Sequence, residues 1–256
     1  MSGAIDKNVV QRRFKRSLAT YNDSALIQRE MAEDLLDLFT TATLERQFAT
    51  IVELGCGAGI LTDMIANRFD FVQLELIDIV PECAKFHCNR PNTRFTAGDI
   101  EKIPLPDAEL FLANAVFQWA IDPKRLFARI AKKLPDNGYL AFSTFGQDTL
   151  REISALTGKG LAYLGEAEII ALLETNDFEV IAGREELLTL EFDTPLEVLK
   201  HLKDTGVNSV GATEPWSRRR LEAFSRAYSE KFRLPNGKLP LSYHPIFIVA
   251  KKQGKI

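Results

Sequence analysis

The residues best placed to do chemistry form a short run, Val52-Glu53-Leu54-Gly55-Cys56-Gly57-Ala58-Gly59, with three carboxylate or carboxamide residues further on, Asp78, Asp99 and Asn114. Glycines between a buried strand and a helix let the backbone bend tightly and approach a ligand that any Cβ would push away. The run is not a dinucleotide fingerprint, which needs glycine where this chain has Ile60. No Lys-Ser or Lys-Thr pair follows, so a nucleoside-triphosphate loop is absent. Asp78 lies 23 residues beyond Gly55, close to the spacing of about 20 at which a carboxylate meets a ribose. Glu53, Asp78, Asp99 and Asn114 each fall at the end of an expected strand. In an open parallel sheet such ends share one crevice, so the four converge on one molecule. Taken singly, each aspartate is equally well read as a helix cap or turn residue.

The elements that must position these residues follow from periodicity. Apolar residues at helical spacing predict helices over 5–19 and 23–39, the second opening at Asp23 or Ser24. From residue 50 short apolar runs alternate with helical segments, the pattern of a parallel sheet wrapped by helices. Strands are predicted near 50–54, 72–77, 93–97, 109–113, 138–143, 178–191 and 241–250, with helices near 59–68, 82–88, 123–134, 148–156 and 166–175. Asp122-Pro123 supplies a cap with proline in the first helical turn. Residues 194–238 break the alternation with helices near 195–204 and 217–231. The expected organisation is one domain: an N-terminal helical cap over 1–45, a core over 46–193 and 239–256, and a helical insertion or lid over 194–238.

The 256 residues are 46% hydrophobic and 26% charged, with a formal net charge of −3 and a pI near 5.8, values of an average globular chain. The mild acidity argues against a general nucleic-acid binder. No apolar run approaches membrane-spanning length, and Met1 to Ser17 lacks the apolar stretch of a signal peptide. Three cysteines make no disulfide framework and suit a reducing compartment, so a cytoplasmic protein without membrane or nucleic-acid partners is expected. His87, His201 and His244 lack ligand spacing, and Cys83 and Cys88 point different ways on a helix, so no metal is expected.

The stretch E-L-G-C-G-A-G, the aspartate after the second strand, and Gly98-Asp99-Ile100 after the third resemble the class I S-adenosylmethionine-dependent methyltransferases. That resemblance implies an α/β, Rossmann-like fold: a mostly parallel seven-stranded sheet with an antiparallel last strand, here with N-terminal helices and a helical insertion. It implies that Gly55, Gly57 and Gly59, with Glu53 and Cys56 in the same turn, lie against the methionine part. Asp78, followed by Ile79, would accept from the ribose hydroxyls. Asp99 would bond the adenine amine with Ile100 flanking the ring, and Asn114 would complete the site. Two acidic groups suit a cationic sulfonium, whereas a polyphosphate would prefer basic residues.

Further stretches resemble one branch, the malonyl-[acyl-carrier protein] O-methyltransferases of biotin synthesis, the BioC family. They are Arg12 to Tyr21 (R-R-F-x-R-x-x-x-T-Y), then Ala25, Gln28 and Arg29, then Asn114 to Trp119 (N-A-V-F-Q-W) and Phe142 to Glu152 (F-S-T-F-G-Q-D-T-L-R-E). The last block is the most specific. Leu134 to Gly138 departs from the family's K-P-G-G turn, and Ala58 stands where threonine is common. The resemblance implies transfer of a methyl group to the free carboxylate of a malonyl thioester, on acyl-carrier protein or coenzyme A. Such a carboxylate is already nucleophilic at neutral pH, so the reaction asks for alignment and exclusion of water rather than a general base. Arg151 is assigned to the malonyl carboxylate, since a guanidinium fork binds one bidentately; the alternative is a surface arginine pairing Glu152 or Asp148. Tyr21 would fold over the methyl donor and orient the carboxylate or the methionine group. Phe117 and Trp119 would wall the methyl-transfer pocket, although an apolar stripe after a strand also serves as core. Arg12, Arg13, Lys15, Arg16 and Arg218 to Arg220 offer a basic rim for an acidic carrier. The competing readings are a methyltransferase for another small acceptor and a non-catalytic assembly or binding module; an oxidoreductase is weakened by Ile60.

Overall fold

The computed structural model describes residues 5–18, 25–205 and 217–254. Helix α1 (Lys7–Ser17) is capped by Asp6, whose carboxylate accepts from the amides of Asn8 and Val9, and Lys15 and Arg16 sit in its last turn, the favourable end for cations. Helix α2 (Leu26–Thr43) buries Ile27, Met31, Leu35, Leu36 and Phe39 and starts at Ala25 with no side-chain cap; Asp23 and Ser24 lie outside the described residues.

Seven strands form the main sheet: β1 (Gln47–Leu54), β2 (Asp70–Asp78), β3 (Thr93–Ala97), β4 (Leu110–Asn114), β5 (Tyr139–Phe145), β6 (Phe178–Glu185) and a C-terminal strand, Pro245–Lys252, in the order β3-β2-β1-β4-β5, C-terminal strand, β6. Between them run α3 (Ile60–Arg68), α4 (Pro123–Ala131), α5 (Arg151–Thr157) and α6 (Glu166–Glu174). The C-terminal strand is antiparallel to both neighbours, so the expected antiparallel last strand lies between β5 and β6 and the sheet's edge there is β6. Alternate residues face opposite layers. Ile51, Leu110 and Phe247 join the core beneath α2 and α3, while Val52, Phe111 and Ile248 join the core beneath α4 and α6.

Two strands expected as continuous are each divided. The predicted strand 178–191 is β6 followed by β7 (Leu188–Phe192), and the predicted strand 241–250 is β8 (Leu239–Tyr243) followed by the C-terminal strand, β9. β7 and β8 pair with each other in a separate two-stranded sheet. The division falls at His244-Pro245. Proline has no N–H for a ladder, and the His244 backbone turns away, its N–H donating to Thr149 Oγ1 and its carbonyl accepting from Gly146 N. Between β7 and β8 lie α7 (Pro195–Asp204), with Thr194 and Glu197 forming a capping box, and α8 (Arg218–Phe232). The helix expected near 82–88 is a 3-10 turn over Pro81–Phe86. The helix expected from 148 begins at Arg151, because Leu150 takes a left-handed conformation (φ 55°). Asp122 caps α4 as expected, accepting from Arg125 N. Among the described residues no helix is long and apolar enough to cross a membrane.

Candidate active site

The strand order reverses between β1 and β4, so the turn after β1 and the loop after β4 border one crevice. The amides of Gly55 and Cys56 both donate to Ile77 O, at 2.7 and 3.2 Å, which ties the turn to β2. Gly55 has φ +75°, and a Cβ there would lie 2.3 Å from Val116 Cγ2. Gly59, with φ +97°, caps α3. Asp78 is held by its own backbone neighbours: Oδ2 accepts from Gly57 N at 2.9 Å and Oδ1 from Val80 N at 2.8 Å. Burial raises its pKa and these amides oppose the rise. The Cys83 thiol bonds the same carboxylate, and the acceptor capacity left over borders the cleft.

Asp99 Oδ1 accepts from Lys7 Nζ at 3.3 Å and Glu101 N at 3.1 Å. Its Oδ2 is buried without a hydrogen bond among the described residues, with Lys102 Nζ 3.8 Å away. Lys7 also pairs with Glu101 at 2.7 Å, and this contact belongs to a series that lays α1 across the crevice. Gln11 Nε2 donates to Ile79 O at 2.6 Å, Lys15 pairs with Glu82, Phe14 meets Trp119 edge-on, and Leu18 packs with Val80 and Cys83. The result is a cleft between α1 and the strand ends. Gly55, Asp78, Ile79, Asp99, Ile100, Asn114 and Trp119 all contribute to its wall, as do Lys7, Val10 and Phe14 of α1.

Other residues singled out from the sequence lie elsewhere. Glu53 is buried beneath the turn, accepting from Thr62 Oγ1 at 2.6 Å, and burial pushes its pKa up to about 8. Cys56 is buried, and its thiol is pushed up by the same cause. Gly57 and Gly59 shape the turn without forming the cleft wall. Asn114 does border the cleft, but it has both ends engaged, Nδ2 with Gln28 O and Oδ1 with Ser143 Oγ, so it pins α2 to β4. Phe117 packs against Phe127 and Phe142 in the core and does not border the cleft. Arg151, half-exposed, places Nε 3.5 Å from Glu152 Oε1, the surface pairing named as its alternative, and is not in the cleft wall. Tyr21 lies outside the described residues.

A second, smaller cavity adjoins the cleft and shares Phe14, Ala115 and Trp119 with it. Gln28, Gln118, Phe145, Thr149, Tyr163, Thr205 and Tyr243 complete its wall, which contains no charged side chain among the described residues. Tyr243 is braced from behind by His201, with Nε2 2.8 Å from the phenol oxygen. Sequence reasoning missed this cavity and the role of Lys7, although Gln28 and Gln118 stood in the motifs quoted above. Lys7 carries no local signal, since its partner is 92 positions away.

Residues 25–183 match the family model described as a methyltransferase domain. A malonyl-[acyl-carrier protein] O-methyltransferase of Bacteroides thetaiotaomicron is 34% identical over 97% of this chain and 99% of its own. The chain belongs to that family. Its relative of the same name from Porphyromonas gingivalis is 35% identical over 96% of both chains. Among solved structures, a methyltransferase-like protein of Bacillus halodurans superimposes with a TM-score of 0.64 at 12% identity, covering 87% of this chain and all (100%) of its own. An N-methyltransferase of Bradyrhizobium japonicum in complex with S-adenosyl-l-homocysteine gives 0.57 at 15% identity over 96% of this chain and 99% of its own. These likenesses share the fold.

The cofactor of this family member is S-adenosylmethionine, and the cleft suits it. Asp99 Oδ2, which accepts no hydrogen bond among the described residues, is a buried acceptor for an exocyclic amine, and at Gly55 the turn packs directly on Val116 with no room for a Cβ. Among the described residues no cluster of three or more metal-ligating side chains occurs.

Glu53 makes stability depend on pH. A carboxyl whose pKa rises from the ordinary 4.5 to about 8 on folding contributes fully below the lower value and loses that contribution as pH climbs through the upper. The melting temperature of the ligand-free protein should therefore fall relative to Glu53→Gln between about pH 5 and pH 9, a window set by this linkage. A difference that stays constant with pH would show that Glu53 ionises normally.

Proposed function

We infer that this protein transfers the methyl group of S-adenosylmethionine to the free carboxylate of malonyl-[acyl-carrier protein]. The product is the methyl ester, and the step belongs early in biotin synthesis. The observation that carries the reading is full-length kinship with enzymes of that name, joined to a methyl-donor cleft that opens on an uncharged second cavity. The carboxylate needs no deprotonation, and an uncharged cavity that displaces its water would sharpen its nucleophilicity. Asp78 takes the ribose hydroxyls, Asp99 the adenine amine, and α1 covers both.

Arg151 supplies the cation that attracts the acceptor's carboxylate. Its partner Glu152 is already satisfied by Ser242, through N at 3.0 Å and Oγ, so Arg151 is not needed there. Nε lies 3.5 Å from Glu152 Oε1, beyond a short charge-assisted bond, and the side chain is half-exposed. Tyr21 closes over the methyl donor, as its motif implies. The segment 194–238 serves as a lid: Thr205, just after α7, stands in the wall of the second cavity, and His201 of α7 braces Tyr243. Exposed Arg12, Lys15, Arg16, Arg218 and Arg219 supply basic surface for an acidic carrier.

Methylation by labelled donor should run fastest on malonyl-carrier protein, more slowly on malonyl-coenzyme A and least on free malonate. Preference for an unrelated small acceptor would instead favour a different methyltransferase of this fold. Arg151→Ala should leave S-adenosylhomocysteine affinity intact while kcat/KM for the malonyl carrier drops by roughly tenfold or more, the loss of one attracting charge. Unchanged kcat/KM would remove Arg151 from carboxylate recognition.

A further inference from the structure

Trp119 stands where the methyl-donor cleft and the second cavity meet, and forms part of both walls. Its side chain is 8% exposed, with Phe14 edge-on at 5.9 Å between ring centres. The indole Nε1–H is buried and has no acceptor among the described residues. An indole N–H can only donate, and a buried donor without a partner carries a desolvation cost that a ligand oxygen would lift. The neighbouring carboxamide does not serve it: Gln118 Nε2 donates to Ala115 O at 2.7 Å, and Gln118 Oε1 accepts from Thr144 Oγ1 at 3.2 Å.

We propose that Trp119 Nε1–H donates to the acceptor carboxylate, holding the oxygen that does not receive the methyl group. The inference rests on the function proposed above. In the reaction one carboxylate oxygen forms the bond to the methyl carbon. The carbon–sulfur bond breaks, its electron pair stays on sulfur, and the negative and positive charges cancel with no proton moved. A cation on the attacking oxygen would hold back the electron pair that must reach carbon. An uncharged donor on the other oxygen fixes the group's orientation and leaves the attacking lone pair free. The cavity wall, with Trp119 and no charged side chain, supplies that kind of recognition. Arg151 attracts the anion from outside this wall, and the indole sets its angle within.

Full-length protein labelled with ¹⁵N-tryptophan should give two indole signals, since the chain has two tryptophans, and Trp216→Phe assigns them. In the presence of S-adenosylhomocysteine, which has no methyl group to give, adding malonyl-carrier protein should move the Trp119 N–H proton downfield. Acetyl-carrier protein, lacking the carboxylate, should not. A shift with S-adenosylhomocysteine alone would assign the indole to the methyl donor, an equal shift with the acetyl carrier would assign it to the thioester carbonyl, and no shift would leave it unbonded; each overturns the proposal. Replacement of Trp119 by 3-benzothienylalanine, which keeps the shape but puts sulfur in place of N–H, should lower kcat/KM for the malonyl carrier by about tenfold or more with unchanged S-adenosylhomocysteine affinity, as expected for one hydrogen bond to a charged group. If the wild type forms the ester and this variant matches it, Trp119 has no such role and the function stands. If the wild type forms no ester, the function itself fails.

Discussion

Asp78→Asn should weaken S-adenosylhomocysteine binding by about a hundredfold or more. The carboxylate is fixed by Gly57 N, Val80 N and the Cys83 thiol, so its remaining acceptor capacity meets a ligand without reorganisation. Hydrogen bonds to a charged acceptor contribute roughly 1.5–3 kcal/mol each, and two ribose hydroxyls at the lower figure already give about two decades in Kd. Asparagine makes matters worse locally, because one amide nitrogen would now face a backbone N–H. Calorimetry on protein shown by circular dichroism to be folded separates lost affinity from lost structure. An affinity within roughly threefold of wild type, less than 1 kcal/mol, would mean the ribose is held elsewhere.

Gly55→Ala should be the most damaging single substitution in the turn. A side chain at φ +75° is strained by about 1–2 kcal/mol, and overpacking against Val116 adds about 1–3 kcal/mol. Chemical denaturation should show a loss of roughly 2–5 kcal/mol, with no measurable binding of the methyl donor at ordinary concentrations. The two causes separate in a double variant. Gly55→Ala with Val116→Ala relieves the clash and should restore the packing share, while the backbone share persists. Full recovery would refute the strained-backbone part of the account, and no recovery would refute the clash.

Much of the cleft's wall was legible because its signals are local. Gly55, Asp78 and Asp99 sit at strand ends, and in a parallel sheet wrapped by helices strand ends share a rim whatever the surrounding sequence does. Gly55 is dictated by a positive φ and a close neighbour, both consequences of one tight bend. The cover was harder to read. Helix α1 reads from its sequence as a basic helix of an N-terminal cap over 1–45, and only contacts such as Lys7 to Asp99 and Gln11 to Ile79 O place it over the cleft.

The divided strands failed for a different reason. Within 178–191 the run Gly183-Arg184-Glu185-Glu186 interrupts the apolar pattern, and there Glu186 N bonds Pro245 O before the chain changes sheets. Pro245 was the second signal, since proline at the join of two apolar runs disfavours a continuous ladder. Phe117 and Trp119 illustrate the limit of apolar stripes. They are neighbours in one motif, yet Phe117 joins the Phe127–Phe142 cluster while Trp119 faces the junction of two cavities, a separation set by the 3-10 turn that carries both.

The most direct test of methyl transfer to the malonyl carboxylate is the intact mass of malonyl-carrier protein after incubation with the protein and S-adenosylmethionine. The carrier should gain the mass of one CH2 unit, carry it on the malonyl group in fragment spectra, and lose it under mild alkali as an ester does. A carrier whose mass stays unchanged under conditions where the protein binds S-adenosylhomocysteine, or a methyl group found on any other atom, would contradict the account.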